Sequence, residues 1–189
     1  MPNIAEKKER VLVTTLKLIT KRGFHDTPMS LVAKEAGVAA GTIYHYFSSK
    51  DELINELYSL LKLRMGEALA RHDHQGNIKE RFFHFWVNLY KHFIGNPLEF
   101  KFLEQYANSP LVDREVRTEN VRHYQPILDF MQKGMQAGVL REMPLLLMAN
   151  LVYGHVVSTA KLQLSADLEV SDEILEQAVQ ASWDGVKMN

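Results

Sequence analysis

Residues 39–50 of this 189-residue chain read AAGTIYHYFSSK: small residues first, then a hydroxyl, two phenols, an imidazole and an ammonium. Small side chains at the start of such a run let its backbone come close to a partner. Thr42, Tyr44 and His45 supply donors and acceptors, and Lys50 supplies a cation. That set suits base edges and phosphates better than bond breaking. Sets that do break bonds are missing. There is no cysteine, no HExxH, no nucleophile elbow, and no Walker or GxGxxG loop. His72-x-His74 has weak metal-ligand spacing and reads as a solvated pair at a helix end. No enzyme activity, catalytic residue, metal or cofactor is expected.

The elements that must hold this run are helical. Val11, Leu12, Thr15, Leu16, Leu18 and Ile19 share one side of a first helix, which Gly23 can end in the left-handed conformation. Thr27-Pro28 restarts a helix, with Thr27 as N-cap and Pro28 at the first helical position. Gly37 closes that helix after Leu31, Val32, Ala33 and Ala36. A third helix, again short, runs from about 40 to 47. Helices this short do not persist alone. Packing through Leu31, Val32, Ala36, Ile43 and Phe47 must hold them. Two short helices joined by a glycine turn form a helix-turn-helix, whose second member can enter a major groove about 12 Å wide. Ser49 and Glu52 then have capping-box spacing and open a long helix through Leu53, Leu57, Leu61, Met65 and Leu69.

Further helices are expected at 77–95, 98–108, 112–137 with a kink at Pro126, 144–165 and 171–187. That gives an all-α chain of about nine helices. The organisation expected is a helix-turn-helix DNA-binding domain over residues 1–50 and a helical domain over 51–189, which the family resemblance, aromatic cluster and apolar stripes given below make the effector-binding and dimerisation domain. Charge follows the same division. Residues 1–50 carry a net +4 and residues 51–189 a net −5, inside a chain of net −1. A polyanion-binding module on an acidic body shows this pattern, and so does an ordinary solvated helix face. The balance excludes a basic tail protein and a long acidic disordered chain. The opening MPNIAEKKER lacks the apolar core of a secretory signal. The apolar run Met143–Val157 contains Asn150 and His155 and is too short for a membrane span. A cytoplasmic protein with no membrane partner is expected.

Gly23-Phe24-His25-Asp26-Thr27, Leu31 through Val38, Gly41 through Phe47 and Lys50-Asp51-Glu52-Leu53 together resemble the TetR/AcrR family of bacterial transcriptional regulators. The resemblance is dense over about residues 10–55. Beyond them it rests on length and helical character. It implies a homodimer that binds an inverted-repeat operator in double-stranded DNA and represses until a small molecule enters the C-terminal domain. Position by position it implies phosphate contacts at Thr27, Tyr46 and Lys50, and base or nearby backbone contacts at Thr42, Tyr44 and His45. It implies a buried role for Phe47. Where the family commonly has Ser followed by Lys or another polar residue, this chain has Ala39-Ala40. The recognition helix therefore lacks a side-chain cap, and Ala40 is left to meet a thymine methyl.

Nine of the chain's eighteen aromatic rings fall between Phe82 and Tyr106. They are either core or the lining of an apolar pocket. The candidate pocket residues are Trp86, Tyr90, Phe102, Glu104, Tyr106, Tyr124, Leu128, Met131 and His155. The candidate dimer residues are Leu147, Leu151, Val156, Leu175, Val179 and Trp183, on two final helices whose stripes suit a four-helix contact between copies or burial within one. The expected function is a one-component repressor released by a small apolar or aromatic effector. Two alternatives stand beside it: an effector-independent architectural or cell-division factor using the same module, and a helical enzyme or carrier retaining it as a vestige.

Overall fold

A heptad-like stripe of Val11, Leu12, Thr15, Leu16 and Ile19 buries one side of α1 (Ile4–Arg22). Glu6 in its first turn and Lys21 and Arg22 in its last complement the helix dipole. Gly23 ends it with φ +85°, its N–H reaching the Ile19 carbonyl at 2.8 Å. The computed structural model describes residues 4–70, 76–106 and 109–188. Among them the chain is all-helical. The remaining α-helices are α2 (Met29–Glu35), α3 (Ala40–Tyr46), α4 (Lys50–Ala70), α5 (Ile78–Gly95), α6 (Pro97–Tyr106), α7 (Arg114–Glu119), α8 (Gln125–Gln136), α9 (Leu145–Leu164) and α10 (Asp172–Val186). His72 and His74 lie outside the described residues.

Contacts divide the chain into two units, Met1–Leu63 with Leu98–Asn120, and Arg64–Pro97 with Val121–Asn189. This division is discontinuous in sequence, unlike a single boundary at residue 50. Most of α4 belongs to the first unit and its last turns to the second.

In the first unit, α2 packs on α1 and on α3. Val32 and Ala33 from α2, Ile43 from α3 and Phe47 just beyond it are buried, as are Leu53, Ile54 and Leu57 on α4. Gly37, at φ +65°, turns the chain between the two short helices. Its N–H donates to Lys34 and that of Val38 to Ala33, so the last carbonyls of α2 are satisfied. At the start of α4 the expected cap is half-altered. Ser49 Oγ accepts from Glu52 N–H at 3.1 Å, but the Glu52 carboxylate takes the N–H and hydroxyl of Ser48, each at 2.6 Å. Those two bonds hold the Glu52 carboxyl below the usual carboxylate range.

The expected kinked helix over 112–137 is instead two helices, α7 and α8, joined by a 3₁₀ turn (Asn120–His123). Pro126 sits in the first turn of α8, where its missing N–H is harmless, rather than mid-helix. The buried Asn120 amide fixes the break in the first unit, donating to Val116 O at 2.8 Å and Ser59 Oγ at 2.9 Å.

The second unit is built on α5, against which α9 and α10 pack, with α8 on α9. A reciprocal cap starts α5: Asn77 Oδ1 accepts from Glu80 N–H at 3.0 Å, and the Glu80 carboxylate accepts from Asn77 N–H at 2.9 Å. Helix α9 extends past the apolar run seen in the sequence. By length and composition alone it is long and apolar enough to cross a membrane. Met148, Val152, Val156, Val157 and Ala160 on it are buried within the unit.

Candidate nucleic-acid interface

Helix α3 is seven residues long and divides sharply into two sides. Ile43 and, just past its end, Phe47 are fully buried, which fixes the helix in the first unit. Ala40, Gly41, Tyr44 and His45 are exposed on the other side, with Thr42 and Tyr46 flanking them half-buried. Tyr44 leaves 56% of its surface open to solvent, far more than packing would leave a phenol. The His45 and Tyr46 rings lie 5.8 Å apart at 56°, and Tyr46 meets Phe47 edge-on at 6.4 Å. As the missing hydroxyl at position 39 implies, the Ala39 N-cap makes no side-chain hydrogen bond. A cap of methyl groups and a glycine leaves the first turn low in relief. The exposed side thus offers a methyl, a phenol, an imidazole and close backbone access, which can read bases by shape and hydrogen bonding.

Five of the seven expected DNA-contact residues, Ala40, Thr42, Tyr44, His45 and Tyr46, are therefore brought onto or beside one open surface. The other two are not. Thr27 is buried, with 1% of its surface exposed, and its hydroxyl donates to the Gly23 carbonyl at 2.9 Å. It closes the turn before α2, with its hydroxyl engaged inside the chain. The N-cap of α2 is Pro28, which makes no side-chain cap. Lys50 turns inward: its ammonium donates to the Phe24 carbonyl and stands 3.9 Å from the centroid of the Phe24 ring. Burial there lowers its pKa, against the opposing pull of Asp51 and Asp26. Phe24 is thus part of the site's framework. No local pattern reveals this, because 26 residues separate the two partners.

The pocket candidates divide between the units. In the second, Trp86, Tyr90, Leu128 and Met131 are buried and Tyr124 is half-buried. The Trp86 and Tyr90 rings stack at 6.1 Å. Burial raises the pKa of both Tyr90 and Tyr124, so each phenol keeps its proton. The indole N–H of Trp86 is buried without an acceptor among the described residues. Other rings of the cluster are plain core: Phe82 meets Phe85 at 5.1 Å and Trp183 at 5.3 Å, and Phe85 meets Phe130 at 5.7 Å. In the first unit, Phe102 and Tyr106 are buried with their rings 5.1 Å apart, and Glu104 is half-buried. His155 is a correction: it is exposed on α9, where Gly185 of α10 lies opposite it at 3.8 Å from Cε1, measured to an added Cβ.

The dimer candidates also separate. Leu147 and Leu151 are 50% and 45% exposed, and Leu175 is half-buried. Val156, Val179 and Trp183 are buried inside their own unit at 6% exposure or less and cannot form a contact surface. The stripes on α9 and α10 are thus buried along one edge and open along the other, and periodicity does not tell which edge is covered.

Comparison with known proteins accords with this geometry. Residues 11–57 match the family model described as bacterial regulatory proteins, tetR family, and residues 77–187 that described as tetracyclin repressor-like, C-terminal domain. An HTH-type transcriptional regulator of Haemophilus influenzae is 27% identical over 180 residues, 95% of each chain. The fatty acid metabolism regulator protein of Bacillus subtilis is 28% identical, covering 92% of this chain and 94% of its own. A solved tetR family transcription regulator from Shewanella sp. PV-4 superposes with a TM-score of 0.90 at 27% identity, over 97% of this chain and 99% of that one. The chain belongs to the TetR family of helix-turn-helix transcriptional regulators, which are DNA-binding proteins and not enzymes.

Proposed function

We propose that the protein is a cytoplasmic homodimeric repressor that reads an inverted-repeat operator through Ala40, Thr42, Tyr44, His45 and Tyr46 and is released by a small apolar or aromatic effector. The observation that carries the DNA reading is the open phenol of Tyr44 beside exposed His45, on a short helix anchored from behind by Ile43 and Phe47. A two-fold pair would set two such helices in successive major grooves, about 34–36 Å apart. The exposed leucines Leu147 and Leu151 on α9, continued by His155, form the face on which the pair would join.

The effector reading is supported by the buried indole N–H of Trp86, unpaired among the described residues, with the protonated phenol of Tyr90 stacked beside it. A relative named for fatty acid metabolism makes fatty acyl compounds the first class to try. In the same unit Gly66 of α4 lies under the 3₁₀ turn, where an added Cβ would come within 2.5 Å of the His123 carbonyl oxygen. Tyr124 follows directly, so a ligand that displaces Tyr124 would disturb the close approach at Gly66. Coupling between effector and DNA binding is typically about 1–3 kcal/mol.

The test is selection of duplexes from a randomised pool by the full-length protein, followed by displacement. An enriched palindrome, released by fatty acyl compounds with a change in Trp fluorescence, is the expected result. Enrichment of no inverted repeat would remove the operator reading. A palindrome that no apolar compound releases would remove the effector reading alone.

A further inference from the structure

Lys50 opens α4 directly after the segment Phe47-Ser48-Ser49 that ends α3, and its side chain returns to a turn 26 residues earlier. That turn is closed locally by Thr27, whose N–H donates to the Phe24 carbonyl at 3.2 Å and whose hydroxyl donates to Gly23. The Phe24 carbonyl therefore receives a second donor, the Lys50 ammonium, which also covers the Phe24 ring at 3.9 Å. A cation held by a carbonyl and a ring face is fixed in direction and partly stripped of water. The α1–α2 turn sets where α2 begins, and the α3–α4 corner sets where the reading helix stops. One side chain joins the two.

We propose that Lys50 serves DNA recognition as a positioning residue: it clamps the Phe24 turn to the end of α3 and so holds the reading face at its docking angle, instead of neutralising a phosphate. This rests on the reading of α2 and α3 as the DNA-docking pair, and its test separates the two ideas.

Lys50→Met, Lys50→Arg, Phe24→Leu and the Lys50→Met/Phe24→Leu double variant are compared below their unfolding temperatures, with helix content checked by circular dichroism. Binding is measured over a range of salt to a duplex selected by the wild type and to an unrelated duplex of equal length. Lys50→Met should weaken the selected duplex about tenfold. It should leave the unrelated duplex and the salt slope unchanged. Lys50→Arg should bind like wild type, since a guanidinium both stacks and donates. Phe24→Leu should lose part of the affinity although it carries no charge, and the two losses should not add. Equal weakening of both duplexes with a slope shallower by about 0.9 would mark a phosphate contact and overturn the proposal. An unchanged ratio between the duplexes overturns it too. Without DNA, the Lys50 ε-protons should show a ring-current shift that Phe24→Leu abolishes. If the wild type selects no duplex, the docking reading fails, and this shift alone decides the clamp, its absence refuting it.

Discussion

Gly41→Ala separates what α3 needs in order to fold from what it needs in order to dock. Gly41 is the second residue of α3, exposed, with a φ outside the left-handed region, and an added Cβ would meet nothing within 4 Å. Among the described residues nothing opposes the substitution. Alanine is favoured over glycine in helices by about 0.5–1 kcal/mol. For a chain of this size the melting temperature should rise by about 1–4 °C. Docking should respond in the opposite sense. If the first turn of α3 approaches the groove closely, a methyl group there costs contacts or forces the helix outward. A loss of about 1.4 kcal/mol would appear as a tenfold weaker operator. The two readouts are a thermal melt followed by circular dichroism and a gel shift on a selected duplex. A more stable protein with unchanged affinity would show that this turn does not face DNA. A less stable one would refute the account of the free helix.

Gly66→Ala should do the reverse of Gly41→Ala. Its Cβ would stand 2.5 Å from the His123 carbonyl oxygen and 2.9 Å from the His123 Cβ, so urea unfolding should show a net loss of about 1–2 kcal/mol despite the better helix former. Lys62, lowered by burial from 10.5 to about 8, leaves the folded chain with fewer bound protons than the unfolded chain between those values, so its contribution makes stability rise with pH across that window. Below it the desolvated ammonium costs up to about 3 kcal/mol. Lys62→Met should therefore be more stable at pH 7 and lack that rise, and equal unfolding curves at pH 7 would refute it. Leu147→Asp with Leu151→Asp should yield a helical monomer in sedimentation equilibrium that binds the selected duplex weakly. A persisting dimer would move the interface elsewhere.

What could be read from the residues in advance was local. Gly23 takes the left-handed turn its position suggested, Gly37 closes α2 as expected, and the buried Ile43 and Phe47 follow from period 3.6. Contacts made across the fold were out of reach. Thr27 looked like an exposed cap because its type and its proline neighbour are those of a cap. In the folded chain the hydroxyl satisfies the Gly23 carbonyl instead, and the residue is sealed by the turn it closes. Lys50 looked like a free cation because nothing near it in sequence holds it. In the segment 112–137 Pro126 marks a helix start as readily as a kink, and the tertiary bond from Asn120 to Ser59 fixes the break just before it. His155 and Val156 are neighbours in sequence, yet one is exposed and the other wholly buried.

The two residues engaged away from the reading face are connected. Thr27 and Lys50 both end on the Gly23–Phe24 carbonyls, one from the turn itself and one from the far side of α3. Helices of seven residues have little stability of their own, so the direction of α3 is set by what grips its ends and its back. Ile43 and Phe47 grip the back. The Gly23–Thr27 turn, fixed by a hydroxyl and an ammonium, grips the start of α2 and the corner after α3. A residue type associated with phosphate contact can thus serve the same function one step removed, by holding the surface that makes the contact. Sequence resemblance does not distinguish the two roles, because both require the same residue at the same place. Salt dependence does distinguish them: only a charge that displaces counterions changes the slope.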